Sequence, residues 1–400
     1  MKAETFSKEN VRKRFFLPAL GLAIFAVWLI TVTFELLLFQ IAHSFQVPVG
    51  TAGLVAAVGS VSGIVAGLLL SILSVRFNHK SFLLMGLLFT CLAALGFFFA
   101  PNFNIILITN IGVGTGIAMV SSMAYSLIGE FYPVERRGRA IGWMVASSTL
   151  AFVIGAPIIG VIANIGNWRS TMIWFSLPVS LASLFLAFLA IPNKSAEHML
   201  YHKEPFFAGC KQAFSNKSAT ASLFATMFTV AEGSISFYAV SFFTSKFAIS
   251  IPMGSIVILV GNILSAAGGV VAGIFVNRIG RKSLGSITGF TAAIFTLTFT
   301  FMPNFALSWG LSALRFWFAG MSSTALGSLV IEQIPKFRSA MTSLNVTFIN
   351  LGMLTASVAG GIALNIYSYQ TFALILGSLG VVGTIVWVTL VKDPCKKLKE

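Results

Sequence analysis

Long runs of hydrophobic residues, separated by short polar or Pro/Gly-containing breaks, dominate the chain. The runs exceed the ~18 residues that a helix needs to cross a bilayer. Lipid cannot satisfy backbone hydrogen-bonding groups, and the ten-residue alternation of a membrane β-barrel is missing, so each run is predicted to be a helix. The twelve predicted spans are residues 16–41, 50–75, 81–100, 104–129, 140–164, 170–191, 220–244, 253–276, 283–302, 306–330, 341–366 and 370–391.

The composition agrees with this pattern and excludes a soluble protein. Of 400 residues, 57% are hydrophobic and only 9% are charged, whereas soluble domains carry roughly 25% charged residues. The mean hydropathy is +0.92. The first apolar stretch is too long for a signal-peptide core and lacks an A-x-A cleavage site, so it is predicted to be a retained span. The chain is therefore predicted to be an all-α polytopic membrane protein.

The net charge of +15 describes membrane topology rather than a nucleic-acid partner. Loops and tails on the side of the N-terminus carry 23 of the 26 Lys and Arg residues. The opposite loops carry only Arg169 and Lys246, and Arg315 lies within a span. By the positive-inside rule, both termini are predicted to be cytoplasmic in a cell (inner) membrane.

The longest break divides the chain into an N-terminal half (1–191), a cytoplasmic linker (192–219) and a C-terminal half (220–400). His198 and His202 in this linker are spaced like metal ligands but lack a convincing third ligand, so no metal is predicted. The three cysteines are too widely separated for a disulfide framework. Nucleotide-binding P-loop and hydrolase motifs are absent from the sequence, so neither an enzyme nor an ATP-driven transporter is expected.

An internal repeat relates the two halves. Glu130-x-x-Pro133-x-x-Arg136 recurs, shifted by 202 residues, as Glu332-x-x-Pro335-x-x-Arg338. The basic strips that follow the second and eighth spans show the same shift, and Asn110-x-x-x-Gly114 parallels a segment that begins at Arg315. Two six-helix halves in the same orientation are typical of transporters with parallel repeats.

The two basic strips resemble the loop signature G-x-L-a-D-r-x-G-r-K of the major facilitator superfamily. The second copy keeps most of the pattern, and the first copy keeps Arg76 and Lys80. The loop-motif residues are Arg76, Lys80, Gly273, Asn277, Arg278, Gly280, Arg281, Lys282, Glu130 and Glu332. The loop arginines are expected to bind helix ends and neighbouring acids such as Glu130, and thereby to latch one half against the other.

The fifth span resembles the antiporter motif of the bacterial drug-efflux branch of this superfamily. Gly155-Ala-Pro157-Ile-Ile-Gly160 is followed by Asn167-Trp168-Arg169. Small residues allow helices to approach closely, and Pro157 permits a bend. The resemblance covers the whole chain and implies twelve helices in two pseudo-symmetric halves, which together form the major facilitator fold.

Only three ionisable residues lie well inside spans, namely Glu35, Glu232 and Arg315. A charge at mid-bilayer costs ~3 kcal/mol, so such residues usually face a cavity or a partner. Glu232 and Glu35 are predicted to exchange protons for substrate, because a carboxyl out of water holds a proton until a cationic substrate displaces it. Either acid could instead be hydrogen-bonded between helices. Arg315 could pair with Glu232 or meet an anionic substrate.

Further polar and aromatic residues in the spans are candidates for a substrate cavity. Each polar one could equally make a helix–helix hydrogen bond. With Arg315, the predicted cavity residues are Asn110, Asn262, Asn345, Trp28, Phe34, Phe237 and Tyr238. An apolar cavity with a few polar groups suits amphipathic compounds.

The predicted function is proton-coupled export of small organic or drug-like molecules by alternating access. No cofactor is expected beyond the proton gradient, and the chain is expected to act as a monomer with a small-molecule substrate and no nucleic acid. One alternative is uptake of an organic anion with Arg315 as counter-charge. Another is a non-transporting membrane sensor with the same fold.

Overall fold

The computed structural model describes residues 2–73, 78–192 and 206–393, and in these ranges the chain forms α-helices and no strand. The N-terminal spans consist of α1 (Lys2–Ser44), α2 (Val49–Ala52) with α3 (Leu54–Leu73), α4 (His79–Phe99), α5 (Phe103–Phe131), α6 (Val134–Val153) with α7 (Gly155–Ile165), and α8 (Trp168–Thr171) with α9 (Leu177–Ala190). A π-helical turn, Met172–Ser176, joins α8 to α9.

A short helix, α10 (Phe206–Ser215), precedes the C-terminal spans. These spans are α11 (Lys217–Gly233) with α12 (Ser236–Phe247), α13 (Ile251–Ile279), α14 (Arg281–Phe299), α15 (Phe305–Ile331), α16 (Arg338–Ile366) and α17 (Tyr369–Leu390). Eleven helical segments of the described chain are long and apolar enough to cross a membrane. The twelfth span, α14, is less hydrophobic because six of its 19 residues are Ser or Thr. The predicted all-α fold is confirmed, with boundaries within a few residues of those expected.

The helices pack into two compact units. Unit 1 comprises Met1–Phe45, Val58–Leu200 and Ile251–Ile256, and unit 2 comprises Gln46–Ala57, Tyr201–Ser250 and Val257–Glu400. In unit 1, α1 is buried along most of its length among α5, α6 and α9. In unit 2, α11 packs against α16 and α17, and α14 packs against α15. Each unit also contains a short segment from a span of the other half of the sequence.

The repeat is visible in how the helices begin and end. Asn102 caps α5 by accepting a hydrogen bond from the Ile105 backbone N–H at 3.1 Å. Asn304, 202 residues later, caps α15 in the same way through Leu307 at 2.9 Å. An Asn side chain at this position satisfies one of the backbone N–H groups that a helix start leaves without a partner. The third and fourth spans of each half are therefore joined by the same turn.

The two basic residues of the opposite loops serve as caps for helix ends. Arg169 Nη2 donates to the Ala100 carbonyl oxygen at 3.0 Å, where α4 ends. Lys246 Nζ donates to the carbonyl oxygens of Thr300 and Met302 at 2.8 Å, just beyond α14. Ala100 and Met302 are 202 residues apart, so equivalent helix ends receive a cation from different helices. Cations at helix C-termini satisfy free carbonyl groups and oppose the negative end of the dipole.

Glycines allow close helix crossings at equivalent places in the two units. A Cβ atom on Gly114 of α5 would collide with the backbone of Gly59 in α3, and one on Gly320 of α15 would collide with the backbone of Ser265 in α13. Both pairs are related by 206 residues. Without lipid-exposed hydrophobic driving force, such contact between small residues is a main source of helix association in membranes.

Candidate functional site

Glu232 lies near the end of α11, next to an interruption of the seventh span. The helix stops at Gly233, and α12 begins at Ser236. Ser234 Oγ donates to the Val230 carbonyl oxygen at 2.7 Å, and Ser236 Oγ donates to the Gly233 carbonyl oxygen at 2.7 Å. These hydroxyl groups satisfy carbonyls that the interrupted helix would otherwise leave free. The carboxyl group therefore lies beside a point at which the span changes direction.

The carboxylate of Glu232 is enclosed by polar partners from two other helices of unit 2. Thr296 of α14 donates a short hydrogen bond from Oγ1 to Glu232 Oε1. Arg315 Nη1, from α15, lies 3.8 Å from the same oxygen and 3.5 Å from the Gly233 carbonyl oxygen, to which it donates. Both charged residues are about 2% exposed. The structure thus forms the Glu232–Arg315 pair, one of the two arrangements that the sequence left open for Arg315.

The guanidinium of Arg315 also faces an aromatic ring. Its Cζ atom lies 4.4 Å from the centroid of Phe316. A cation over an aromatic face is attracted by the ring quadrupole, more strongly where water is excluded. Arg315 is therefore held from three sides, by the Glu232 carboxylate, the Gly233 carbonyl and the Phe316 ring.

The fourth wall around Glu232 is the backbone of α17 at Gly380. A Cβ atom there would lie 2.7 Å from Glu232 Cγ and 3.0 Å from the Ala293 Cβ. Because the carboxylate is fixed by Thr296 and Arg315, it has little freedom to withdraw. Gly380 is therefore the position at which α17 leaves room for the acid.

We expect Gly380→Ala to lower the free energy of unfolding by about 1–3 kcal/mol, as overpacking of a filled interior does. Gly327→Ala in α15 is the matched control, because a Cβ atom at Gly327 meets no atom within 4 Å. Alanine in a helix is favoured over glycine, so the control is expected to be neutral or slightly stabilising. The apparent melting temperatures of both variants in one detergent measure the difference. Equal temperatures would show that α17 does not pack tightly on the acid.

The other predicted cavity residues are distributed over both units. Asn262 donates to the Ile258 carbonyl oxygen of its own helix at 3.0 Å. Asn345 is half-buried, and its Oδ1 accepts no hydrogen bond within the described part of the chain. In unit 1, Asn110 is 5% exposed and would contact a Cβ atom on Gly59 at 2.9 Å, so it packs at a helix crossing. Glu35, also in unit 1, is 7% exposed.

The predicted cavity aromatics mostly pack against other rings. Trp28 is half-buried against Phe152, with ring centroids 6.0 Å apart. Phe34 is buried and makes an edge contact with Phe97. Phe237 and Tyr238 contact each other, and Tyr238 also contacts a ring of α17, that of Phe372.

The repeated loop motif forms an ion pair in each unit. His79 Nδ1 lies 2.7 Å from Glu130 Oε1 in unit 1, and Arg281 forms a short ion pair with Glu332 in unit 2. Each pair joins the start of one helix to the end of the next helix of the same unit. The expectation that the motif latches one half against the other through Glu130 is therefore not what the structure shows. The reason is that consecutive helices bring these groups together locally.

The remaining motif residues are placed as follows. Lys80 Nζ donates to the Phe188 carbonyl oxygen at 2.7 Å, at the end of α9. Gly280 precedes α14 with a φ of 87°, a conformation that a side chain disfavours. Arg76 and the side chain of Asn277 lie outside the described residues. Gly273, Arg278 and Lys282 lie in or next to the helices of this loop, and Arg278 is exposed.

The fifth span is divided at the predicted antiporter motif. Helix α6 ends at Val153 and α7 begins at Gly155, so Pro157 lies in the first turn of α7, where it removes no helical hydrogen bond. A Cβ atom on Gly155 would lie 2.7 Å from the Leu29 side chain, and one on Gly160 would lie 2.9 Å from Ser255. Both glycines thus permit close packing within unit 1.

Comparison with known proteins follows from this architecture. Twelve helices in two repeated sets, with a buried ion pair inside a span, define a membrane transport protein. Residues 16–314 and 222–400 match the sequence model of the Major Facilitator Superfamily. The chain belongs to this family, whose members are transporters rather than enzymes and use ion gradients without a cofactor.

Curated relatives match mostly over part of their length. The chain is 29% identical over 160 residues to the MFS-type transporter YfhI of Bacillus subtilis, which covers 40% of each chain. It is 30% identical over 135 residues to a probable sugar efflux transporter of Helicobacter pylori, which covers 34% of each. It is 25% identical over 330 residues to multidrug resistance protein 2 of Bacillus subtilis, which covers 78% of this chain and 80% of that protein.

Solved structures show the same fold at low sequence identity. A D-xylose–proton symporter superposes with a TM-score of 0.76 at 18% identity, over 95% of this chain and 97% of that one. A nucleoside transporter superposes with a TM-score of 0.75 at 12% identity, over 95% and 99%. These similarities confirm the predicted major facilitator fold.

Proposed function

We propose that the chain is a proton-coupled exporter of small organic molecules that works by alternating access. The names of the relatives support export, since they include a probable sugar efflux transporter and a multidrug resistance protein. The division of the chain into two six-helix repeats supports alternating access, in which one repeat moves relative to the other.

The buried cluster of Glu232, Arg315 and Thr296 is the observation that carries proton coupling. A charged Glu232 attracts Arg315, and a protonated Glu232 leaves the guanidinium without its counter-charge in a site that excludes water. Proton binding therefore releases Arg315 from Oε1 and weakens the contact between α11 and α15. Because the seventh span is interrupted next to Glu232, the released half-helix has a place to pivot.

Thr296 is proposed to hold the carboxylate in the geometry that Arg315 requires. Its hydroxyl group donates to the oxygen that faces the guanidinium. A hydroxyl group can also accept a proton bond from a neutral carboxyl after rotating, so it can serve both protonation states. Glu35 is proposed as a second proton-carrying group in unit 1, where it is buried in α1.

Uptake of an organic anion receives less support, because the guanidinium that would bind the anion already faces Glu232 and is about 2% exposed. Reconstituted vesicles distinguish the two modes with ethidium as the cationic probe. An antiporter accumulates the probe when the lumen is acidic, and a symporter accumulates its substrate when the outside is acidic. Lack of flux for ethidium and for a panel of sugars in both settings would favour the non-transporting sensor.

We further propose that both termini are cytoplasmic and that the transporter acts as a monomer in the inner membrane. The proposed orientation rests on the 23 Lys and Arg residues on the side of the termini. The structure adds that Arg169 and Lys246, on the opposite side, are bound to helix ends. Their charges are therefore locally satisfied.

A disulfide between positions 51 and 365 is expected to stop transport. Asn365 Nδ2 donates to Thr51 Oγ1 at 3.0 Å within unit 2, although Thr51 belongs by sequence to a span of the N-terminal half. Alternating access requires this contact to open. Thr51→Cys/Asn365→Cys, in a chain with Cys91, Cys210 and Cys395 replaced by Ser, should lose flux on oxidation and regain it on reduction. The two single variants are the controls, and full flux in the oxidised double variant would contradict alternating access at this contact.

A further inference from the structure

The two ion pairs of the repeated loop motif differ in one residue type. His79 occupies the position 202 residues before Arg281, and Glu130 the position 202 residues before Glu332. An imidazole changes its charge between about pH 5 and 8, whereas a guanidinium stays charged throughout. The same latch is therefore built with a titratable cation in unit 1 and with a permanent cation in unit 2.

The geometry of the unit 1 latch places the imidazole directly on the acid. His79 is the first residue of α4, is 6% exposed, and contacts Glu130 through Nδ1 at 2.7 Å. Glu130 is the penultimate residue of α5 and is 34% exposed. The pair therefore fastens the start of α4 to the end of α5, next to the cap formed by Asn78.

The other charged groups near this latch keep their charge over the same range. Lys80 of α4 is bound to the Phe188 carbonyl oxygen of α9 at 2.7 Å. Arg137 of α6 donates to the carbonyl oxygens of Gly129 and Tyr132, at 2.6 and 3.0 Å, where α5 ends. Arg136 and Arg139 of α6 are exposed. Lysine and arginine remain protonated between pH 6 and 8, so His79 is the titrating cation in this group.

We propose that the His79–Glu130 pair is a pH-sensitive latch that loosens the junction of α4 and α5 as the pH rises, while the Arg281–Glu332 pair holds the equivalent junction of α14 and α15 unchanged. At acidic pH the imidazolium forms a charged pair with the carboxylate. At alkaline pH the imidazole is neutral and retains only a weaker hydrogen bond.

The consequence for transport rests on the proposed function. The proposed orientation puts this latch on the cytoplasmic side, so a rise in cytoplasmic pH would free unit 1 while leaving unit 2 fastened. Transport by a proton-coupled exporter would then respond to cytoplasmic pH through a group that is separate from the Glu232 cluster.

Hydrogen–deuterium exchange on the full chain in detergent tests the latch without any substrate. Residues 79–86 and 124–131 report on the unit 1 junction, and residues 281–288 and 326–333 provide an internal control in the same sample. After correction for the intrinsic pH dependence of exchange, we expect protection of the unit 1 junction, relative to unit 2, to fall about three- to fivefold from pH 6 to pH 8.

Three variants sharpen the test. His79→Arg should remove the pH dependence, His79→Gln should lower protection at both pH values, and Arg281→His should give the unit 2 junction the pH dependence that it lacks in the wild type. A wild-type ratio that is equal at pH 6 and pH 8 would overturn the proposal, as would Arg281→His without any change in unit 2. Because exchange needs no transport, a failure of the latch is distinguishable from a failure to find flux.

Discussion

Replacing Arg315 with alanine is expected to lower the free energy of unfolding by about 3–5 kcal/mol, one of the largest effects of any single substitution in this chain. The substitution leaves Glu232 about 2% exposed and without the cation 3.8 Å from its Oε1. It also opens a cavity beside Phe316, over which the guanidinium lies. Transport should be lost together with stability, since the helices that carry the acid are no longer held.

The double variant Arg315→Ala/Glu232→Gln separates charge from packing. A glutamine keeps the shape of the acid and can still accept a hydrogen bond from Thr296. If the main loss comes from the uncompensated carboxylate, the double variant should recover a large part of the stability lost in the single one. The melting temperatures of wild type, both single variants and the double variant complete the cycle. No recovery in the double variant would mean that Arg315 acts through packing alone.

Much of the fold was predictable from the sequence because the membrane imposes it. Apolar run length predicted the spans, and the structure places their ends within a few residues of the predicted positions. The span that fits least well is α14, where Ser and Thr residues lower the hydropathy. One of them, Thr296, is the hydroxyl that holds Glu232.

The partners of the candidate site were only partly predictable. The presence of two opposite charges inside spans was enough to suggest the Glu232–Arg315 pair. Thr296 and Gly380 were missed, because their roles depend on which faces of α14 and α17 meet α11. A hydroxyl or a glycine in a span has many structural uses, so residue type alone does not identify these two.

His79 was missed although the sequence contained a signal. The shift of 202 residues that relates Glu130 to Glu332 also relates His79 to Arg281. Comparison with the family signature treated His79 as a departure from the pattern. Comparison with the second half of the same chain would have identified it as the partner of Glu130.

Replacing Glu232 with glutamine is expected to abolish proton-driven transport while leaving substrate exchange intact. Glutamine preserves the size and the hydrogen bond to Thr296 but cannot carry a proton in the same way. Arg315 then loses its alternation between a charged and a neutral partner, so proton binding no longer changes the contact between α11 and α15. Glu332→Gln is the matched control, because Glu332 pairs with Arg281 outside the buried cluster.

The most direct measurement is accumulation of ethidium by proteoliposomes with an acidic lumen, compared for wild type, Glu232→Gln and Glu332→Gln. The account predicts accumulation by wild type and by Glu332→Gln. It predicts none by Glu232→Gln, which should still exchange labelled for unlabelled probe across vesicles without a pH gradient. Accumulation by Glu232→Gln equal to that of wild type would contradict the assignment of proton coupling to this residue.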